Sequence, residues 1–396
     1  MSSSADPIVI VGAARTPMGA FQGDFSDLAA HDLGGAAIQA AVERAGVAPE
    51  KVDEVLFGNC LMAGQGQAPA RQAGFKGGLP RSTGAVTLSK MCGAGMEATI
   101  LAHDQLVAGS RDVMVAGGME SMTNAPYLLK KGRGGYRMGH DKIFDHMMLD
   151  GLEDAYEPGR SMGTFGEDCA AKYAFTREQQ DAFATASVSR AKAATESGAF
   201  AKEIAAVTVK DRSGERVVSI DEGPGKIKLD KIPALKPAFK KDGTITAASS
   251  SSINDGAAAL VLAKASTAQR LGAKPIARIV GHATHAQEPN WFTTAPVHAT
   301  QKLLAATGWK VGDVDLWEVN EAFAVVPMAL MAELKVSHDK LNVNGGACAL
   351  GHPIGASGAR ILVTLIHALQ ARGGKRGVAT LCIGGGEATA MAIELL

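Results

Sequence analysis

The sequence carries no excess charge of either sign. Forty Lys and Arg face forty Asp and Glu, and no long basic run occurs. This argues against nucleic acid as the main partner. A local cluster such as Lys130-Lys131-Gly132-Arg133 reads as a solvated face or a phosphate contact. Cysteine is scarce: five residues, at 60, 92, 169, 348 and 382, with no CxxC pair. That spacing indicates neither a zinc site nor a disulfide framework, and reduced thiols in a cytosol are the simplest reading. No stretch approaches the uninterrupted apolar length of a membrane span. The N-terminus, Met1 to Pro7, lacks the basic and apolar segments of a secretory or transit leader, and Glu394-Leu395-Leu396 is not a peroxisomal address. The turn after the first apolar run, Val11-Gly12-Ala13-Ala14-Arg15, is not the glycine fingerprint of a dinucleotide fold, which argues against a nicotinamide-dependent dehydrogenase.

What is present points to an enzyme. The chain has 396 residues, 46% hydrophobic, with 47 glycines. That length predicts two or more subdomains. Over residues 1–124 strand and helix signals alternate: strands at 8–11, 52–57 and 113–116, helices at 33–44 and 96–107. The alternation predicts a largely parallel sheet with covering helices. Residues 125–250 carry glycine, charge and methionine in irregular order, with one well-marked helix. Thr176-Arg177-Glu178-Gln179 is its capping box and Gly198 its stop. This reads as an inserted lobe. The α/β pattern returns afterwards, with a strand at 257–262 and helices at 300–307 and 322–334. Residues 1–124 with 251–275, 125–250, and 276–396 are the expected units.

The last section repeats the first. Cys92-Gly93-Ala94-Gly95 leads into a helix, then a strand, then Gly117-Gly118-Met119-Glu120. Gly351-His352-Pro353-Ile354-Gly355 leads into a helix at 359–371, then a strand at 378–381, then Gly384-Gly385-Gly386-Glu387. A duplicated α/β unit would place Cys92 and His352 at comparable positions.

Cys92 precedes a buried helix, where free N–H groups and the dipole favour thiolate over thiol. Gly93 and Gly95 would leave room for a substrate beside the sulfur. The bland alternative is a small buried hydrophobe. His352 sits in a rigid glycine-rich loop; its bland role is to bond a carbonyl. Cys382 ends an apolar strand and is either core or, before three glycines, lines a cleft whose N–H groups bind an oxyanion. Asn320, in Val319-Asn320-Glu321-Ala322-Phe323, reads as a helix N-cap or a site residue. A cysteine nucleophile with a histidine base builds acyl-thioesters, and a second cysteine can move a C–H proton.

Together these segments resemble the thiolases, most closely the acetyl-CoA acetyltransferase type. The resemblance rests on Ala14-Arg15-Thr16-Pro17, Cys92-Gly93-Ala94-Gly95-Met96, Gly117-Gly118-Met119-Glu120-Ser121-Met122, Asn254-Asp255-Gly256, Asn320-Glu321-Ala322-Phe323, Asn342-Val343-Asn344-Gly345-Gly346, Gly351-His352-Pro353-Ile354-Gly355-Ala356-Ser357-Gly358-Ala359-Arg360 and Leu381-Cys382-Ile383-Gly384-Gly385-Gly386, in family order over almost the whole chain. It implies two αβαβα-type halves with a loop domain inserted in the first. It implies Cys92 as the acylated nucleophile, His352 as its base, Cys382 as the α-proton acid/base, and Asn320 as holder of an oxyanion-binding water. The N–H groups of Cys92 and Gly384 would form a second oxyanion hole.

Coenzyme A and acyl-CoA are the implied substrates, with no permanently bound cofactor or metal. Ser251 would meet the pantetheine; Leu152, Met162, Phe239 and Ala247 would line its channel, with Ala322 at the thioester end. A homodimer or homotetramer is implied. Three departures stand out: Ser161 replaces a histidine of typical members, Phe292-Thr293-Thr294-Ala295-Pro296 replaces Met-Gly-Thr-Gly-Pro, and Lys226 is the basic residue nearest a missing adenine contact. The first two bear on acyl-chain length. A decarboxylating ketoacyl synthase is disfavoured by the motif at Cys382, and a noncatalytic partner subunit by retention of all four site residues.

Overall fold

The strands that carry the site lie in one large sheet of a computed structural model, which describes residues 6–211 and 214–396. Residues 1–5, on which most of the leader reading falls, lie outside the described residues. The principal strands are β1 (Ile8–Arg15), β2 (Glu54–Gly58), β3 (Gly84–Leu88), β4 (Val113–Ser121), β5 (Asn254–Lys264), β6 (Ala277–Ala286), β7 (Leu316–Val319), β8 (Arg376–Ile383) and β9 (Glu387–Leu395). Their order is β7-β8-β9-β6-β1-β5-β4-β2-β3, and a two-residue strand, Gly19–Ala20, also pairs β5. The main helices are α1 (Ala30–Ala45), α2 (Ala94–Ala108), α3 (Arg177–Glu196), α4 (Ala295–Thr307) and α5 (Ser357–Arg372).

The pairing repeats. In the first half β1–β5 and β5–β4 are antiparallel and β4–β2 parallel; in the second β6–β9 and β9–β8 are antiparallel and β8–β7 parallel. The counterpart of β3 in the second half is a single parallel bridge, Trp317 to Leu341. The halves join through a short antiparallel contact, Val9 and Ile10 of β1 against Arg278 and Ala277 of β6.

The expectation of a largely parallel sheet holds within residues 1–124, where β2 pairs parallel with β3 and β4, and fails for the sheet as a whole, in which β1, β4, β5, β6, β8 and β9 join through antiparallel pairs. Strands covered on both faces read as continuous apolar runs, the usual mark of parallel sheets. Here helices cover both faces of antiparallel strands as well. The alternation along β1 makes the layers visible. Val9 and Val11 pack outward with Ile38 and Val42 of α1, while Ile8 and Ile10 pack inward with Met96 of α2 and Ile361 and Leu365 of α5. On the far face of the second half, Val378, Ala390 and Ala392 pack with Leu303 of α4. The order of layers is helix, sheet, helix, sheet, helix.

Central α2 and α5 touch almost backbone to backbone. A Cβ on Gly95 would lie 2.8 Å from the Ala359 nitrogen, and one on Gly358 would lie 2.4 Å from the Met96 nitrogen. Among the described residues one helical stretch, Ile354–Arg372, is long and apolar enough to cross a membrane; 83% of it is buried, and it forms this central layer.

Between β4 and β5 the chain leaves the sheet. It forms a helix at Met162–Tyr173, then α3, and two small hairpins, Tyr127–Leu128 with Phe144–Asp145 and Val207–Asp211 with Gly214–Val218. The capping box of α3 forms as expected, Thr176 with Gln179. Fully buried Arg15 ties this excursion to β1, with Nε 2.6 Å from Glu203 Oε1 and Nη1 2.6 Å from Asp221 Oδ1. The Arg15 motif thus serves a structural ion triad.

Candidate active site

Cys92 is delivered by a tight turn. Gly93 N–H donates to Lys90 O at 3.0 Å and Ala94 N–H to Met91 O at 2.9 Å. Met91 adopts φ +45°, a left-handed conformation that a branched-chain or long side chain adopts only at a cost of roughly 1–3 kcal/mol. α2 begins two residues after the cysteine. The backbone N–H groups of Cys92 itself and of Gly384 stand beside the sulfur and favour its anion. They lower its pKa, but burial outweighs them and pushes the thiol up to about 11. The N–H groups favour the anion, as expected of the helix start, but desolvation outweighs them and the thiol needs a base.

The expectation of open space is corrected. A Cβ on Gly93 would meet Ile383 Cδ1 at 2.3 Å, and one on Gly95 the Ala359 nitrogen at 2.8 Å. These glycines let two other segments close on the cysteine turn. One is the end of β8, carrying Cys382 and Gly384. The other is the start of α5, carrying the His352 loop.

Cys382 is fully buried, and burial raises its thiol well above the ordinary value; a charge on Cys92 raises it further. The two sulfurs are therefore not both anionic at once. His352 is buried as well. Its Nδ1 lies 2.5 Å from Ser357 Oγ and 3.5 Å from Asn320 Nδ2. The Ser357 hydroxyl donates to Pro353 O at 3.0 Å, so its lone pair faces the ring and Nδ1 carries the proton. Nε2 is left as the acceptor, buried and without a hydrogen-bond partner among the described residues. Burial, then the neighbouring Arg360 charge, pushes the His352 pKa down to about 3, so the ring is neutral. Its backbone is fixed by Asn254, whose Oδ1 accepts from His352 N–H at 3.3 Å. Gly351, at φ +100°, has no room for a Cβ beside that same amide.

Asn320 is no N-cap: the following helix starts at Val325. Its side chain lies between Arg360, which donates to Oδ1 at 3.4 Å, and His352. That contact turns the amide nitrogen toward the histidine ring, where, 3.5 Å from a protonated Nδ1, it is a polar neighbour and not a hydrogen-bond partner. Arg360 and Glu318, 3.6 Å apart, are buried together behind it, and burial raises the Glu318 carboxyl to about 8.

The residues implied for coenzyme A fall into two groups. Met162 approaches the Gly384 turn, 3.5 Å from where a Cβ would stand. Leu152 packs in the apolar cluster that Cys92 borders. Phe239 stacks edge-on against Phe323 at 5.7 Å, and Ser251 N–H donates to Ala322 O at 2.9 Å. Ala247 is exposed. Lys226 is exposed too and ion-paired with Glu222. Ser161 is the N-cap of the helix at Met162–Tyr173, accepting from Gly163 N–H. Phe292 is buried edge-on to Phe165, in the same cluster as Cys382 and Cys169.

Sequence reasoning missed Glu120. Its carboxylate accepts from Asn59 Nδ2 (2.6 Å) and from the N–H groups of Cys60 (3.0 Å), Leu61 (3.0 Å) and Gly355 (2.9 Å), lacing the loop after β2 to the histidine loop. The signal was an acidic residue at the end of an otherwise apolar strand, after two glycines. Ser357, too, gave no sign beyond its place five residues past the histidine.

Comparison with known proteins agrees with this geometry. Residues 8–266 match the family described as thiolase, N-terminal domain, and residues 273–395 the thiolase, C-terminal domain. Acetyl-CoA acetyltransferase 2 of Arabidopsis thaliana is 50% identical over 400 residues, covering 100% of this chain and 99% of that protein. Acetyl-CoA acetyltransferase of Chromobacterium violaceum is 49% identical over 98% of this chain and 99% of its own. The crystal structure of Bacillus anthracis acetyl-CoA acetyltransferase superposes with a TM-score of 0.96 at 41% identity, covering 100% of both chains. On sequence and on fold over its full length, this chain belongs to the thiolase family.

Proposed function

We propose that the chain catalyses the reversible Claisen condensation of two acetyl-CoA to acetoacetyl-CoA and CoA, and the matching thiolytic cleavage, through an acyl group on Cys92. The observation that carries this reading is the Cys92 thiol beside a second buried thiol, Cys382, on a turn whose glycines let Ile383 and the start of α5 close on it. Relatives named acetyl-CoA acetyltransferase, similar over their whole length, support the substrate.

His352 Nε2 takes the Cys92 thiol proton, and the thiolate attacks the acyl-CoA carbonyl. The CoA thiolate leaves and takes up the proton. The thioester carbonyl of acyl-Cys92 then rests on the N–H groups of Cys92 and Gly384. Cys382 passes its proton to His352 Nε2 and, as thiolate, removes the α-proton of a second acetyl-CoA; the enolate carbon attacks acyl-Cys92 and expels its sulfur, which takes the proton back from His352. The enolate oxygen is received by His352, then carrying a proton on Nε2, and by a water held on Asn320. Two carbonyls that develop charge at different steps require two separate oxyanion sites. Ser251, Leu152, Met162, Phe239, Ala247 and Ala322 receive the pantetheine arm, and Lys226 the adenine end once released from Glu222. Ser161 and Phe292 set the acyl length.

The chain acts as a homo-oligomer, a reading supported by the outer strand β3, whose Val86 is 44% exposed. A cytosolic setting is supported by five free cysteines. Thiolysis kcat/KM over a chain-length series of 3-ketoacyl-CoAs, with mass spectrometry of the acylated peptide, tests the reading. Acyl label absent from Cys92, or longer chains preferred to acetoacetyl-CoA, would overturn it.

A further inference from the structure

Outside the site, one group of side chains has the donor set of a metal centre. His103 and Asp104 lie on α2, and His282 lies on β6 opposite Met391 of β9. His103 Nδ1 and His282 Nε2 are each 3.0 Å from the same Asp104 Oδ1. The three donor atoms all lie within 4.8 Å of one another, and the two rings meet edge to face with centroids 5.0 Å apart. Bonds of about 2.1 Å to a tetrahedral zinc ion separate its ligand atoms by about 3.4 Å. The observed spacing needs only small side-chain rotations to reach that value.

Both imidazoles are largely covered, with 18% and 21% of their side chains exposed, while the Asp104 carboxylate faces solvent. Further along α2, Glu97 lies within electrostatic reach of His282 and Asp104, and its Oε2 is buried without a partner among the described residues.

We propose that His103, Asp104 and His282 form a binding site for a divalent transition-metal ion of the zinc type. Two imidazoles and one carboxylate suit zinc, nickel or copper; magnesium and calcium want oxygen ligands throughout. On binding, each neutral ring carries its proton on its other nitrogen, Nε2 of His103 and Nδ1 of His282, and turns a lone pair to the ion, and water completes the coordination. α2 starts at the Cys92 turn in the first half of the fold, and β6 belongs to the second. The ion therefore clamps the halves together next to the helix that carries the nucleophile.

The test uses the full-length protein, freed of metal with a chelator and titrated calorimetrically with Zn²⁺. One ion per chain is expected, with a rise in Tm and no heat from Mg²⁺. His282→Ala and Asp104→Asn, the latter at the solvent-facing position, should weaken binding at least roughly tenfold. Their metal-free Tm should stay unchanged. Co²⁺ distinguishes this site from the thiols: nitrogen and oxygen ligation gives only weak visible bands. A thiolate-to-cobalt charge-transfer band, or Zn²⁺ titrations that His282→Ala leaves unchanged, would overturn the proposal.

Discussion

The Nδ1 of His352 and the hydroxyl of Ser357 are 2.5 Å apart, and that hydroxyl is committed as a donor to Pro353 O. One turn of backbone thus fixes the tautomer of a buried ring and leaves Nε2 free to take a proton. Ser357→Ala should lower thiolysis kcat/KM by roughly ten- to a hundredfold. Ser357→Thr, which keeps a hydroxyl, should recover most of it. Equal loss in both variants would mean that packing at this position matters and the tautomer does not.

The two cysteines should separate cleanly. Cys92→Ser should lose covalent acylation by acetyl-CoA, since an alcohol beside a neutral imidazole is far less nucleophilic than a thiol. Cys382→Ser should still acylate at Cys92 but should not exchange the α-protons of acetyl-CoA with deuterated solvent. Exchange at the unchanged rate in that variant would remove Cys382 from the proton transfer.

Burial holds the Cys92 thiol at about 11, above its ordinary value of 9.0. Alkylation of Cys92 by iodoacetamide should therefore rise by about tenfold per pH unit between pH 7 and 10. A rate already flat by pH 6 would instead indicate a resident thiolate–imidazolium pair.

The buried neutral state of His352 also affects stability. Its pKa in the fold is near 3, below the 6.5 of an unfolded histidine. Between those values the unfolded chain binds a proton that the folded chain does not, so stability falls as pH drops from about 6.5 toward 3. His352→Gln should remove up to about 1.4 kcal/mol per pH unit from that slope. Urea midpoints at pH 7, 6 and 5 for both proteins measure it, and parallel curves would disprove the effect.

Gly358→Ala places a Cβ 2.4 Å from the Met96 nitrogen, where two central helices meet. Separation of α2 from α5 should cost about 1–3 kcal/mol in chemical denaturation. It should also reduce turnover, because α2 follows Cys92 and α5 follows His352. Full activity with unchanged stability would mean that this contact relaxes freely.

The amino-acid sequence by itself determined the family, the glycine-rich turns before α2 and α5, the internal duplication and the four candidate residues Cys92, Asn320, His352 and Cys382. Those are local: a turn, a helix start or a strand end can be read from neighbouring residues. Only the tertiary structure decided what depends on distant chain segments. The strands are mostly antiparallel because residues 122–253 leave the sheet and return beside β4, a path that hydrophobic periodicity does not record. Gly93 and Gly95 serve close packing because Ile383 and Ala359 occupy the space beside them. The protonation of Cys92 and His352 follows from desolvation by elements far apart in the chain, which here outweighs the helix terminus legible at Cys92. Glu120, Arg360 and the cluster joining Asp104 to His282 stayed unread for the same reason. Each works by bringing together charges and donors that only the fold makes neighbours.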